Sequence, residues 1–147
     1  MVLRRFYLFL LLSATVLIIA ISIPSCQDQK EIKFRKYMSI GKQIYIQRCQ
    51  HCHGENGQGL GKLYPPLDSS DYLLENRDIL ACIIRNGQAG EINVNGITYN
   101  QVMPANPDLI EDEIAQICTY ILNAWSNEAG LLEKEEVLES LGNCQTN

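Results

Sequence analysis

The sequence predicts an all-α domain carrying one small β-hairpin, and three observations predict it. First, apolar residues recur at helical spacing in three separate stretches, 37–50, 76–86 and 111–125. Second, strict alternation is confined to 91–99, where it straddles Asn95-Gly96, the dipeptide that suits a two-residue hairpin turn. Third, 147 residues with 46% hydrophobic content suffice for one compact domain plus a leader, and are too apolar for a disordered chain. The net charge of −5 argues against nucleic acid as a partner, because phosphate binding requires a basic face.

Residues 1–25 are set apart from the fold. Arg4 and Arg5 precede Phe6–Ile23, 18 residues without a charge, and Ser25 stands directly before Cys26. This pattern is that of a signal peptide of lipoprotein type, with Cys26 as the lipidated residue, or of an uncleaved membrane anchor; plain secretion is the third reading. In the first two the domain is tethered to a membrane and faces the periplasm or the cell exterior, an oxidising space. Residues 26–36 are polar and partly basic and are assigned to a tether. Residues 26–63 carry seven basic against three acidic side chains, whereas residues 100–147 carry Lys134 against nine acids.

The first helix is expected over Ser39–Cys52, with Ile40, Ile44 and Tyr45 on one face. At its end stands Cys49-Gln50-His51-Cys52-His53, a C-x-x-C-H sequence, the attachment signature of c-type haem. Two thiols one helical turn apart can reach the two vinyl groups of one porphyrin, and the histidine that follows is then held beneath the iron. The competing reading as a zinc site lacks a second ligand pair, because Cys82, Cys118 and Cys144 are lone and widely spaced. A redox disulfide would call for a strand before the motif. Only two histidines exist, which excludes three-His zinc sites and multi-haem chains. His51 is too near His53 to reach the opposite face of a haem. Of three methionines, Met1 lies in the leader and Met38 is a helix length away. Met103, in a loop stiffened by Pro104, is therefore the candidate second axial ligand; otherwise it is a core residue and the iron five-coordinate.

The rest follows in order. Gly54–Gly61 is a glycine-rich loop without the Gly-Lys-Ser/Thr ending of a phosphate loop. Asn76–Asn86 reads as a helix with Ile79, Cys82 and Ile83 on one face and Gly87 as its cap. The hairpin over 91–99 follows, just before the Met103 loop. The last clear helix spans Glu111–Trp125, its apolar positions being Ile114, Ile117, Cys118, Ile121, Leu122 and Trp125. Its first turn is acidic, and Asp108 is a candidate cap one turn earlier. Residues 131–147 form an acidic extension that carries a weaker helix. With Cys49, Cys52 and Cys26 assigned, an odd number of cysteines remains: Cys82 with Cys144 is the favoured disulfide, pinning the extension, and Cys82 with Cys118 its competitor.

Cys49–His53, Pro65-Pro66-Leu67, Ile84-Arg85-Asn86-Gly87, Val102-Met103-Pro104-Ala105 and the long final helix, in this order and spacing, resemble a class I cytochrome c over about residues 37–127. The resemblance implies three to five helices around one covalently bound haem c, in a domain of residues 37–130. It implies that Gly41, Tyr45 and Tyr120 mark the crossing of first and last helices, that a carbonyl of Pro65 or Pro66 accepts the Nδ1–H of His53, and that Arg85 approaches a haem propionate. Leu67 belongs to the same pocket; Tyr99 and Asn100 touch the haem edge, bond the loop or simply pack, and Arg85 is otherwise an exposed cation at a helix end. The expected activity is one-electron transfer in a respiratory chain, without small-molecule substrate, between redox proteins that present basic docking patches. An accessory subunit of an oxidoreductase, or a haem enzyme or gas sensor with a displaceable methionine, are the rival readings.

Overall fold

The computed structural model describes residues 2–21 and 25–144, without the side chains of residues 2, 3, 6, 16–21 and 25–28. The chain divides into two units, Met1–Lys33 and Phe34–Asn147. The first contains α1 (Val2–Ile21), in which the Ser13 hydroxyl donates to the Leu10 carbonyl at 2.9 Å and the Thr15 hydroxyl to the Leu12 carbonyl at 2.8 Å. Among the described residues no helix is long and apolar enough to cross a membrane. The side chain of Cys26 lies outside the described residues.

Helix α2 spans Ser25–Arg48, so it begins well before the expected Ser39, and the expected tether is helical. The reason is compositional: residues 26–38 contain neither glycine nor proline and are rich in good helix formers, so nothing interrupts the helix until Gly41, which is itself helical. It also ends earlier than expected. The backbone breaks at Cys49, and a separate turn, α3 (Gln50–His53), carries the rest of the cysteine–histidine motif.

The second unit is built around α6 (Glu111–Asn123). Every residue from Ile114 to Leu122 is buried, not only the predicted apolar stripe. One side receives α2: a Cβ on Gly41 would overlap the Gln116 carbonyl oxygen and lie 2.7 Å from Tyr120 Cβ, so glycine is required for the close crossing. Tyr45, Tyr120 and Trp125 interlock beside it, with ring centroids 5.3–5.7 Å apart in tilted and edge-to-face arrangements. The other side is covered by α5 (Leu80–Asn86) and by α7 (Lys134–Gly142). Thr119, fully buried, donates to the Leu132 carbonyl at 3.3 Å and accepts the Leu132 N–H at 3.1 Å. Val137 of α7 is 0% exposed. The C-terminal extension is thus packed onto the domain, with Leu132 and Val137 buried beneath its acidic outer residues.

Between α3 and α5 lie a loop, the short helix α4 (Asp71–Glu75) and a 3-10 turn, Arg77–Ile79. The expected helix from Asn76 is thus split, and α4 before it was not foreseen. Ser70 caps α4, its side chain accepting the Leu73 N–H. Strands β1 (Ile92–Val94) and β2 (Ile97–Tyr99) form the antiparallel hairpin, with Val94 opposite Ile97. Asn95 and Gly96 both have positive φ, 52° and 77°, as a type I′ turn demands. Backbone and side chain of Asn95 pair reciprocally with those of Asp71, fastening the hairpin tip to α4. Asp108 does not cap α6; its carboxylate binds Arg48 at 2.6 Å, and the free Ile110 N–H goes to Glu113 instead.

Candidate cofactor site

Where α2 breaks, the Cys49 carbonyl accepts both the Cys52 and His53 N–H groups, at 3.1 and 3.0 Å. The two cysteines and the histidine thereby share one tight turn. Both thiols are free and half-buried. Burial pushes the Cys49 thiol up to about 11, the neighbouring Cys52 adding to the shift and Arg48 opposing it.

His53 Nδ1 lies 3.0 Å from the Pro65 carbonyl oxygen. A carbonyl can only accept, so the proton of the neutral ring sits on Nδ1 and the lone pair is left on Nε2. Burial holds the imidazole below its ordinary pKa, against the raising effect of that hydrogen bond, so the ring is kept neutral and able to ligate.

His53, Cys49, Pro65 and Met103 line a cleft with two adjoining lobes. The inner lobe is walled by apolar side chains, among them Leu67, Leu80, Ile84, Ile117 and Ile121, with Pro66. Cys52, Tyr64, Tyr99 and Pro104 belong to the outer lobe. Met103 is held by its backbone on both sides. Its N–H donates to Gln88 at 2.9 Å, and its carbonyl accepts from Gln88 at 3.0 Å. Gly87, at φ 77°, leaves room for this approach; a Cβ there would come within 2.5 Å of the Met103 carbonyl oxygen. Asn106 closes the loop onto the end of α5 through the Ile84 carbonyl.

The arrangement brings together Cys49, Cys52, His53, Pro65, Pro66, Leu67, Tyr99 and Met103. The hydroxyl of Tyr99, buried, also donates to the Gly61 carbonyl at 3.3 Å, so it bonds the glycine loop as well as lining the cleft. Arg85 is not on the cavity wall: its guanidinium pairs with Glu111 at 3.0 Å, helped by the acidic start of α6, and its Nε is buried without a partner among the described residues. Cys82 and Cys144, 62 residues apart, form a disulfide between α5 and the chain end beyond α7; Cys118 is a fully buried free thiol. Gln88 and Tyr72, which hydrogen-bond on the cleft wall, were not foreseen. The Ser-Ser-Asp preceding Tyr72 is the one local signal that pointed to a helix there.

Among the described residues no three His, Cys, Asp or Glu side chains converge on a bare metal ion. An apolar slot, two unbridged thiols on one turn, a neutral imidazole with a free Nε2 and a facing thioether residue instead match a flat, apolar, iron-bearing macrocycle. The family model for "Cytochrome c" matches residues 38–125. The chain belongs to the cytochrome c family. It is 36% identical over 91 residues to "Cytochrome c-552" of Thermus thermophilus, an alignment covering 59% of this chain and 69% of that one. A second cytochrome c-552 of the same species aligns at the same identity over 61% of its length. At 28% identity over 92 residues the chain also resembles the "Alcohol dehydrogenase (quinone), cytochrome c subunit" of Gluconacetobacter polyoxogenes, of which it spans 19%. As a c-type cytochrome the protein is an electron carrier with covalently bound haem c, and the residues of the cleft fit that group.

Proposed function

We propose that this cytochrome is a single-haem carrier, stapled through Cys49 and Cys52, with His53 and Met103 as axial ligands, serving one-electron transfer in a respiratory chain. The observation that carries the reading is that His53 and Met103 line the same apolar cleft, beside two free thiols. When bound, the haem supplies a ferric–ferrous couple. The protein's own residues do the rest. Pro65 orients the His53 ring and makes it a stronger donor, while Gln88 and Gly87 hold the Met103 backbone so that the thioether is presented without a large reorganisation. Apolar walls exclude water. Were His53 and Met103 both to hold the iron, no position would be left for oxygen or peroxide, and the chemistry supplied would be exchange of electrons. The leader and Cys26 supply a membrane tether by lipid or anchor, with the domain facing the periplasm or the exterior.

An optical redox titration of the purified protein tests this. A low-spin spectrum with a methionine–iron charge-transfer band is expected, with the haem retained on denaturation. Met103→Ala should abolish the band and open the reduced protein to carbon monoxide. A wild-type protein that binds carbon monoxide rapidly, or a band untouched by Met103→Ala, would refute the ligation and favour a haem enzyme or sensor. The similarity to a dehydrogenase cytochrome subunit supports a second reading, residence in a larger oxidoreductase. Purification as a lone monomer would count against it.

A further inference from the structure

The Nδ1–H bond of His53 depends on where the Pro65 carbonyl is held, and Pro65 sits in a loop with little regular structure of its own. Besides Ser126, which bonds Asp68 and Ser69, and the Gly57 carbonyl, this loop is held from two residues beyond the family match, at Asn127. Asn127 is 3% exposed, and its amide is fully used. Its Nδ2 donates to the Leu67 carbonyl and to the Ile121 carbonyl, each at 2.8 Å, and its Oδ1 accepts the Ser69 N–H at 3.0 Å. Ile121 belongs to the last turns of α6, so one side chain joins the rigid helix to both ends of the 67–69 segment. Leu67 is itself tied to the Gly57 carbonyl at 2.7 Å. Between Leu67 and the Pro65 carbonyl stands only Pro66, whose ring locks one of its two backbone torsions.

We propose that Asn127 is a positioning residue for the His53 imidazole, holding the Pro65 carbonyl against Nδ1 by hanging the 67–69 segment on the end of α6. This rests on His53 being an axial ligand. A fixed acceptor keeps the ring a strong donor and favours ferric iron; a slackened one makes it a poorer donor and favours the ferrous state. Asn127→Ala leaves the Leu67 and Ile121 carbonyls and the Ser69 N–H without this partner and loosens the segment.

The test uses the full-length holoprotein and two readouts: the midpoint potential, which stability alone does not move, and the exchange rate of the His53 Nδ1–H in the ferrous state by NMR, read against a variant destabilised to the same extent elsewhere. Thr119→Val is the comparison, since it removes a buried hydrogen-bonded hydroxyl at the junction with Leu132, outside the cleft. Asn127→Ala is expected to shift the ferrous-to-ferric ratio at fixed potential at least about twofold toward ferrous, and to speed Nδ1–H exchange about tenfold. Thr119→Val should lower the melting temperature and leave both readouts unchanged. Should Asn127→Ala not accumulate, Asn127→Ser is read in the same way. Unchanged potential and exchange in an Asn127 variant whose melting temperature has fallen would overturn the proposal. A wild-type spectrum without histidine and methionine ligation would overturn instead the reading beneath it, and is seen before any variant is made.

Discussion

At Gly41 a single hydrogen decides whether α2 and α6 can cross. The Gln116 carbonyl oxygen and Tyr120 Cβ that a methyl group would strike belong to the backbone and to the root of a packed ring, and neither can move aside freely. Gly41→Ala is expected to cost about 3 kcal/mol or more, since overpacking a rigid contact forces the helices apart; denaturant unfolding of the holoprotein measures it. Asp68 offers a test by pH. Hydrogen bonds from the Ser126 hydroxyl, then from the Ser126 N–H at 3.1 Å, hold its carboxyl below the ordinary value. A carboxyl depressed in the folded state stabilises fully above its unfolded pKa, near pH 4, and loses that contribution as pH falls through the folded value. The melting-temperature gap between wild type and Ser126→Ala should therefore be fully open above about pH 4 and close progressively in more acid buffer. A gap independent of pH would show that Asp68 is not the partner that matters.

At the scale of elements the C-terminal extension has the largest effect. α7 packs on α5 and α6 with Val137 buried, Leu132 just before it is buried as well, and the Cys82–Cys144 disulfide ties the segment beyond α7 to α5. Reducing that bond, or replacing both cysteines by serine, is expected to cost about 2–4 kcal/mol, read as a lowered melting temperature with an unchanged haem spectrum. Elements written in local chemistry were legible in advance: the Asn95-Gly96 turn, the haem-attachment turn, the stiff Met103-Pro104 loop and the helical stripe of Ile114, Ile117 and Ile121. What could not be read were features made by long-range partners. Asn127 looks like any polar loop residue until Leu67, Ser69 and Ile121 surround it. The all-round burial of α6 is invisible while α7 reads only as acidic. Arg85 shows how a charge at a helix end takes the nearest opposite charge, here Glu111, when a chain partner is at hand. Asp108 was drawn off from its capping place by Arg48 in the same way.

Across the whole molecule the charge is lopsided, with a net −5 and the acids gathered in the last third of the chain. Transfer to a redox protein bearing a basic patch should slow as ionic strength rises, because screening shortens the reach of that field to about 8 Å at physiological salt. Stopped-flow rates across a salt series check this, and a flat series would remove acidic steering from the account. The sulfur atoms set a different demand. On the proposed attachment Cys49 and Cys52 meet the porphyrin as thiols, whereas Cys82 and Cys144 form a disulfide in the same polypeptide, and Cys118 is sealed inside. On that reading maturation sends two cysteine pairs to opposite oxidation states, and a mispaired sulfur at residue 49 or 52 would forfeit a covalent link to the pigment.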